Sequence, residues 1–108
     1  MLKTSLFGDE WKIFVLDEEA FVRRLGEGGL AGLTDSSNKQ IFLNSNDMSI
    51  ETIRHELFHA AKYYTCTSSA DLDEHQLEEI YCDLYAVHGP KLDKVAKLIH
   101  AELEDMKE

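Results

Sequence analysis

The sequence predicts an α+β fold, because segments rich in β-forming residues come first and a region of helical periodicity follows. Residues 11–16 and 39–44 are rich in β-branched and aromatic side chains and are followed by turn residues. From residue 50 onward, apolar side chains recur every three or four positions, as they do on one face of a helix. A chain of 108 residues has the length of one domain, so we expect a single domain over residues 1–108.

The first two predicted helices begin at residues that commonly cap helix N-termini. Asp17 is the predicted N-cap of a short helix over residues 17–25, between the two strands. Ser49 is the predicted N-cap of a longer helix that runs to about Tyr64. We expect the apolar face of this longer helix to pack into the core. That face consists of Ile50, Ile53, Leu57, Ala60 or Ala61, and Tyr64.

Two further helices are predicted in the last third of the chain. Asp71 and Glu74 form a capping-box pattern, and the helix that they begin should end at the Gly89-Pro90 pair. Pro90 suits the first turn of a last helix. The apolar faces of these helices are Leu77, Ile80, Leu84 and Val87 in the first, and Leu92, Val95, Leu98, Ile99, Leu103 and Met106 in the second. The prediction is therefore a small N-terminal β-sheet followed by a row of helices.

Charge and composition exclude several classes of function. The formal net charge of -10 argues against a nucleic-acid or anionic-membrane surface, which needs clustered Lys and Arg. No apolar run approaches the roughly 20 residues of a membrane span, and the N-terminus lacks a secretory apolar segment. We therefore expect a cytoplasmic protein that binds neither nucleic acid nor a membrane. Cys66 and Cys82 are then expected to be reduced thiols.

The predicted longer helix carries an HExxH motif, formed by His55, Glu56 and His59. Two histidines four positions apart project from the same face of a helix, one turn above the other. That face is not the apolar one, so both imidazoles can face a cleft while the helix packs into the core. HExxH is typical of zinc peptidases, in which the imidazoles hold Zn²⁺ and the carboxylate accepts a proton from water. The motif predicts zinc as the cofactor and Glu56 as the general base.

A catalytic zinc site needs a third protein ligand. The extended HExxHxxGxxH pattern is excluded, because positions 62 and 65 are Lys62 and Thr65. The next helix offers Glu79, 20 positions after His59, with Glu78 and His75 as alternatives. Asp83 shares a helical face with Glu79 and is the predicted outer carboxylate that accepts the free ring N–H of a zinc-bound histidine.

These motifs resemble those of the minimal gluzincins of the ImmA/IrrE type, which are small bacterial and phage metallopeptidases. The resemblance covers residues 30–90 and rests on His55-Glu56-Leu57-Phe58-His59-Ala60 and on Glu79-Ile80-Tyr81-Cys82-Asp83-Leu84-Tyr85-Ala86. In that family HExxH precedes a helix with the approximate pattern ExEANxFA, whose first Glu is the third ligand. The resemblance implies a zincin-like fold, Glu79 as ligand and a regulatory protein as substrate. Residues 32–35 and 39–43 are similar to the family strand that precedes the active-site helix.

The chain departs from the family pattern at three positions, where Phe58 replaces Gly, Tyr81 replaces the second Glu and Cys82 replaces Ala. None of these changes removes a predicted ligand. By analogy with thermolysin-like enzymes, His88 is a candidate oxyanion stabiliser. A substrate strand is expected to pair along residues 39–44.

Two other classes of function are compatible with the same residues. One is a catalytically inactive zincin-fold binding module of phage or mobile-element origin, which would keep the motif without cleaving anything. The other is a structural or interaction domain that binds no metal. Metal analysis separates the second from the peptidase, because it predicts no stoichiometric zinc.

Overall fold

A four-stranded mixed sheet and three helices make up the fold, in a computed structural model that describes residues 1–26, 28–65 and 73–106. The spatial order of the strands is β1-β2-β4-β3. β2 and β4 are parallel, and both outer strands are antiparallel to their neighbours. The α+β class is confirmed. The elements are β1 (Leu2–Leu6), β2 (Asp9–Leu16), α1 (Glu18–Leu25), β3 (Gly32–Asp35), β4 (Gln40–Asn44), α2 (Ile50–Thr65) and α3 (Glu74–Met106).

The predicted caps of the first two helices are confirmed. The Asp17 side chain accepts a hydrogen bond of 2.7 Å from the Ala20 amide, at the N-terminus of α1. The Ser49 hydroxyl accepts one of 3.2 Å from the Thr52 amide, at the N-terminus of α2. Gly26 ends α1 with a φ of 78°, a left-handed conformation that glycine adopts without steric cost.

The two faces of the sheet pack against different helices. Ile13 and Ile41 are neighbours on one face and belong to the main core, together with apolar residues of α2 and α3. Phe14 and Phe42 lie on the opposite face, because successive strand residues alternate. The Arg24 guanidinium of α1 lies over both of these rings. α2 and α3 therefore cover one face, and α1 covers the other.

The prediction of two helices after residue 70 is wrong, because α3 continues from Glu74 to Met106 through Pro90. Proline removes one helical hydrogen bond and crowds the preceding turn. Here that turn contains Ala86 and the buried Gly89, which are small. Leu84 and Leu92 are buried on either side, with 3% and 2% exposure, so packing holds both halves of α3 in one helix.

The N-terminus of α3 has its own capping box, two residues after the predicted one. The Gln76 amide donates to the Asp73 carboxylate at 2.8 Å, and the Asp73 amide donates to the Gln76 side chain at 3.0 Å. The predicted cap Asp71 lies outside the described residues. No helix in the described part of the chain is long and apolar enough to span a bilayer.

Candidate metal centre

His55 and His59 converge on the exposed side of α2. Their Nε2 atoms are 3.2 Å apart, and their ring centroids are 4.9 Å apart. Two tetrahedral ligands that each lie about 2.0–2.1 Å from zinc are separated by about 3.3–3.4 Å. The spacing of the two nitrogen atoms is therefore close to that which a shared zinc ion requires.

Burial of the opposite face of α2 fixes the direction of the two imidazoles. Ile53, Leu57 and Ala61 are almost completely buried in the main core, with 2%, 0% and 0% exposure. Rotating α2 to bury the histidines would expose these apolar side chains, at a cost of roughly 1.5–3 kcal/mol for each large one. The predicted separation between the apolar face and the histidine face is confirmed for these residues, whereas Tyr64, predicted on the apolar face, is 58% exposed.

Glu56 is buried between α2 and the edge strand β3, with 4% exposure. The Thr34 hydroxyl lies 2.8 Å from its Oε1 atom and 3.0 Å from its main-chain oxygen. A Cβ atom at Gly32 would lie 3.0 Å from Cγ and 3.1 Å from Oε2 of Glu56. The predicted general base thus follows His55 directly in α2, and its carboxylate is in close contact with β3.

The two edge strands of the sheet are β1 and β3, and the expectation that a substrate pairs along residues 39–44 is wrong. Those residues form β4, which is an inner strand with β2 on one side and β3 on the other. Its main-chain groups are already used by two neighbours, so it has no edge to offer. Of the two outer edges, that of β3 lies beside Glu56.

Aromatic side chains of α3 flank the histidine pair on the other side. The Phe58 ring stacks on Tyr85 with centroids 6.2 Å apart, and Lys62 Nζ lies 5.5 Å from the centroid of Tyr81. In α2, Phe58 directly precedes His59, and Lys62 follows His59 by three positions. On α2, the exposed histidine pair therefore lies between the side that packs on β3 and the side that meets α3. Thr34 and Gly32 form the β3 wall of this site, and Tyr81 and Tyr85 form its α3 wall.

The α3 wall includes a cavity and an ion pair between the two helices. The cavity has a volume of about 530 Å³, and its lining includes Arg54, Phe58, Tyr85 and Asp93. Arg54 pairs with Asp93, and the Nε atom of Arg54 is buried without a hydrogen-bond partner in the described residues. A hydrogen bond from Lys97, together with Arg54, holds the pKa of Asp93 below its usual value.

The predicted third ligand does not join the histidine pair in this structure. Within residues 1–26, 28–65 and 73–106, no group of three His, Cys, Asp or Glu side chains is arranged to hold a metal ion. Glu79 is exposed and lies about 140° around α3 from the buried Leu84. Its role as a ligand stays a prediction.

The alternative ligand Glu78 lies on a different side of α3. It lines a shallow groove together with Tyr81 and Tyr85, the two residues that meet α2. His75, the other alternative, is exposed in the first turn of the helix. Of these candidates, Glu78 is thus the one that shares a groove with both tyrosines of the α3 wall.

Asp83 and His88 lie away from the histidine pair. The two residues line a small cavity with Thr65. The His88 ring meets Phe7 edge-on at 5.4 Å, and Phe7 stacks on Tyr64 at 4.5 Å. Tyr64 lies about 140° around α2 from His59. The predicted oxyanion role of His88 therefore has no support in its position, and Asp83 has no hydrogen bond to either imidazole.

Sequence reasoning missed Gly32 and Thr34 as parts of the site. Thr34 is 22 positions from Glu56, and no local periodicity connects a strand residue with a helix residue across that separation. The available signal was the Gly-x-Thr spacing, which places both residues on one face of a strand.

Comparison of the chain with protein-family models, curated proteins and solved structures gave no match.

Proposed function

We propose that this protein is a zinc-dependent metallopeptidase with a zincin-like fold. The observation that carries the proposal is the 3.2 Å separation of the His55 and His59 Nε2 atoms, with the buried residue Glu56 directly after His55 in α2. Two neutral imidazoles and a nearby carboxylate are the groups that HExxH hydrolases use. The resemblance to the ImmA/IrrE type supports the same function.

The proposed ligands are His55, His59 and a carboxylate of α3. Bound zinc supplies the Lewis acidity that polarises a carbonyl group and makes water a nucleophile near neutral pH. Glu79 is the ligand that the family pattern implies, whereas its alternative Glu78 lies on the side of α3 that borders Tyr81 and Tyr85. A side-chain movement within α3 is required in either case, because no third ligand is in place among the described residues.

Glu56 acts as the general base in this proposal. Its carboxylate accepts the proton of the attacking water and then transfers it to the leaving amine, which is the acid–base role that a peptidase requires. One of its oxygen atoms is held by Thr34, so the carboxylate is oriented before a substrate binds. The residue is recessed against β3 rather than free in solvent.

The substrate in this proposal is an extended peptide segment of a regulatory protein. The outer edge of β3 can pair with such a segment through main-chain hydrogen bonds. A paired segment would lie beside Glu56, because Thr34 of the same strand contacts that carboxylate. Main-chain pairing gives affinity with little dependence on the substrate side chains.

Metal content is the first test, on protein purified without a histidine tag. We expect about one zinc ion per chain by mass spectrometry of the wild type, as for a single catalytic site. The His55→Ala variant should lose most of this zinc, whereas His100→Ala should retain it. His100 is a matched control, because it lies near the end of α3, where it pairs with Glu104. Equal zinc in both variants would contradict the proposed centre.

Cleavage by Glu56→Gln is the second test, with a mixed peptide library read by mass spectrometry. We expect its rate to fall by about 10²–10⁴-fold, because the general base is lost while the ligands remain. The zinc content should stay at the wild-type level. Full cleavage activity in a zinc-loaded Glu56→Gln variant would show that the catalytic assignment is wrong.

The second candidate function is a zincin-fold binding module that cleaves nothing. The position of Glu79, which is exposed and apart from the histidine pair, favours it. The same experiments distinguish the two functions. A wild-type protein that binds zinc, yet leaves both the peptide library and a host lysate uncut, is a binding module.

A further inference from the structure

We infer that Thr34 and Gly32 are positioning residues that orient the Glu56 carboxylate. The inference rests on the proposed function for its catalytic meaning, and on the geometry of β3 for its structural content. Thr34 and Gly32 are two positions apart on the same strand, so both face Glu56. Thr34 contributes a hydroxyl group, and Gly32 contributes space.

The Thr34 hydroxyl engages only one of the two carboxylate oxygen atoms. It lies 2.8 Å from Oε1, and it also lies 3.0 Å from the main-chain oxygen of Glu56. Rotation of the carboxylate would break the contact with Oε1 and leave a largely buried oxygen unpaired. Leaving a buried oxygen atom without a hydrogen bond is unfavourable, so the hydroxyl holds one orientation of the carboxylate.

The other oxygen atom, Oε2, remains available. It has no hydrogen-bond partner in the described residues. Among the described residues, Arg54 Nε is the fully buried side-chain polar atom without a hydrogen-bond partner. Oε2 of Glu56 also lacks such a partner but is not fully buried, so it keeps access to solvent. The geometry therefore assigns the two oxygen atoms different roles: Oε1 holds the orientation, and Oε2 accepts the proton from water.

Gly32 is required here for space and not for its backbone conformation. The φ angle of Gly32 is not positive, in contrast to those of Gly8, Gly26 and Gly29. A Cβ at position 32 would lie 3.1 Å from Oε2 of Glu56 and 3.1 Å from the main-chain oxygen of Phe42. The main chain of β4 cannot easily move, so the carboxylate would be displaced.

The kinetic test compares Thr34→Val, which keeps the shape and removes the hydroxyl, with Thr34→Ser, which keeps the hydroxyl. With zinc-loaded protein we expect kcat of Thr34→Val to fall by about 10–100-fold. This is the loss typical of removing a residue that hydrogen-bonds to a group of a metal site. KM and zinc content should stay within about twofold, and Thr34→Ser should restore kcat. The matched control is Thr4→Val, the same change on the opposite edge strand.

A crystallographic test uses metal-free protein and does not depend on catalysis. We expect the Glu56 carboxylate to rotate in Thr34→Val, to keep its position in Thr34→Ser, and to be displaced in Gly32→Ala. If the carboxylate keeps its position in Thr34→Val, the inference is wrong, whatever the activity. If wild-type protein cleaves nothing and the Glu56 carboxylate still rotates in Thr34→Val, the proposed function fails and the positioning role stands. Should Thr34→Val not fold, Thr34→Ser and Gly32→Ala decide.

Discussion

The two walls beside the histidine pair differ in how firmly the fold defines them. On the β3 side, Thr34 bonds to Glu56 and the missing side chain of Gly32 permits close packing. On the α3 side, Tyr81 and Tyr85 are 45% and 69% exposed, and the carboxylate of Glu78 has no ion pair in the described residues. The side chains of the β3 wall are therefore fixed by close packing, and those of the α3 wall are not.

The difference shows which parts of the site close packing can define. Glu56 is held by contacts with a strand whose own position is set by its pairing with β4. In the first half of α3, Leu84 is the one buried residue before Gly89, and the contacts of Tyr81 and Tyr85 with α2 are made by exposed side chains. Polar side chains on such an exposed segment can change rotamer at little cost. The missing ligand is thus expected from this wall.

On the α3 wall, the largest expected effect is a loss of zinc affinity when the third zinc ligand is replaced. We expect Glu78→Gln to lower zinc affinity by about tenfold or more, because Gln removes the charged oxygen donor that zinc prefers. Glu79→Gln should change the affinity by less than about threefold, because Glu79 lies on the outer side of α3. Competition with a chromophoric chelator measures both values at constant pH and salt.

The two substitutions are controls for each other, because they are adjacent and remove the same charge. If Glu79→Gln has the large effect and Glu78→Gln the small one, the family pattern is right and α3 must rotate when zinc binds. If neither substitution changes the affinity, a carboxylate of α3 does not complete the site. A combined variant with His75→Ala then tests the remaining alternative on this helix.

The parts of the structure that were predictable from the sequence depend on interactions within a few residues. The caps at Asp17 and Ser49 are local hydrogen bonds, and the apolar face of α2 follows from helical periodicity. The convergence of His55 and His59 is also local, because four positions make about one helical turn. Local spacing is therefore sufficient for two of the three predicted ligands.

The parts that were not predictable depend on contacts between distant segments. β1 carries only two apolar residues, Leu2 and Leu6, so its pattern is too weak to indicate a strand. The parallel pairing of β2 with β4 leaves β3 as the edge strand, an order that no local signal encodes. The contact of Thr34 with Glu56 and the passage of α3 through Pro90 depend on tertiary packing in the same way.

An intermediate effect is expected at Pro90, within the α3 wall. We expect Pro90→Ala to raise the free energy of unfolding by about 1–3 kcal/mol, because alanine restores the amide that can donate to the Ala86 carbonyl. Urea unfolding followed by circular dichroism measures the change. Lys91→Ala, at the next exposed position, is the control and should stay within about 0.5 kcal/mol. A less stable Pro90→Ala variant would show that the proline is needed where it is, for example to shape the cavity beside Arg54.

The smallest expected effect concerns the ion pair that joins the α3 wall to α2. The hydrogen bond from Lys97 and the pairing with Arg54 lower the pKa of Asp93 in the folded protein, so they stabilise the fold when the carboxylate is charged. This contribution is present above the unfolded-state pKa, about 3.9, and is lost as the pH falls through the lower folded-state value. Asp93→Asn should therefore be slightly less stable than wild type at pH 7.

The difference between wild type and Asp93→Asn should disappear once the pH has fallen through the lowered pKa of Asp93, where both side chains are uncharged. It should also shrink in about 0.5 M salt, because the Arg54 and Asp93 side chains are 42% and 36% exposed and are open to screening. The control is Asp105→Asn, an exposed carboxylate near the end of the same helix. If Asp93→Asn matches wild type at pH 7 and low salt, the pair does not hold α3 in place, and Leu84 and the residues after Pro90 must do so alone.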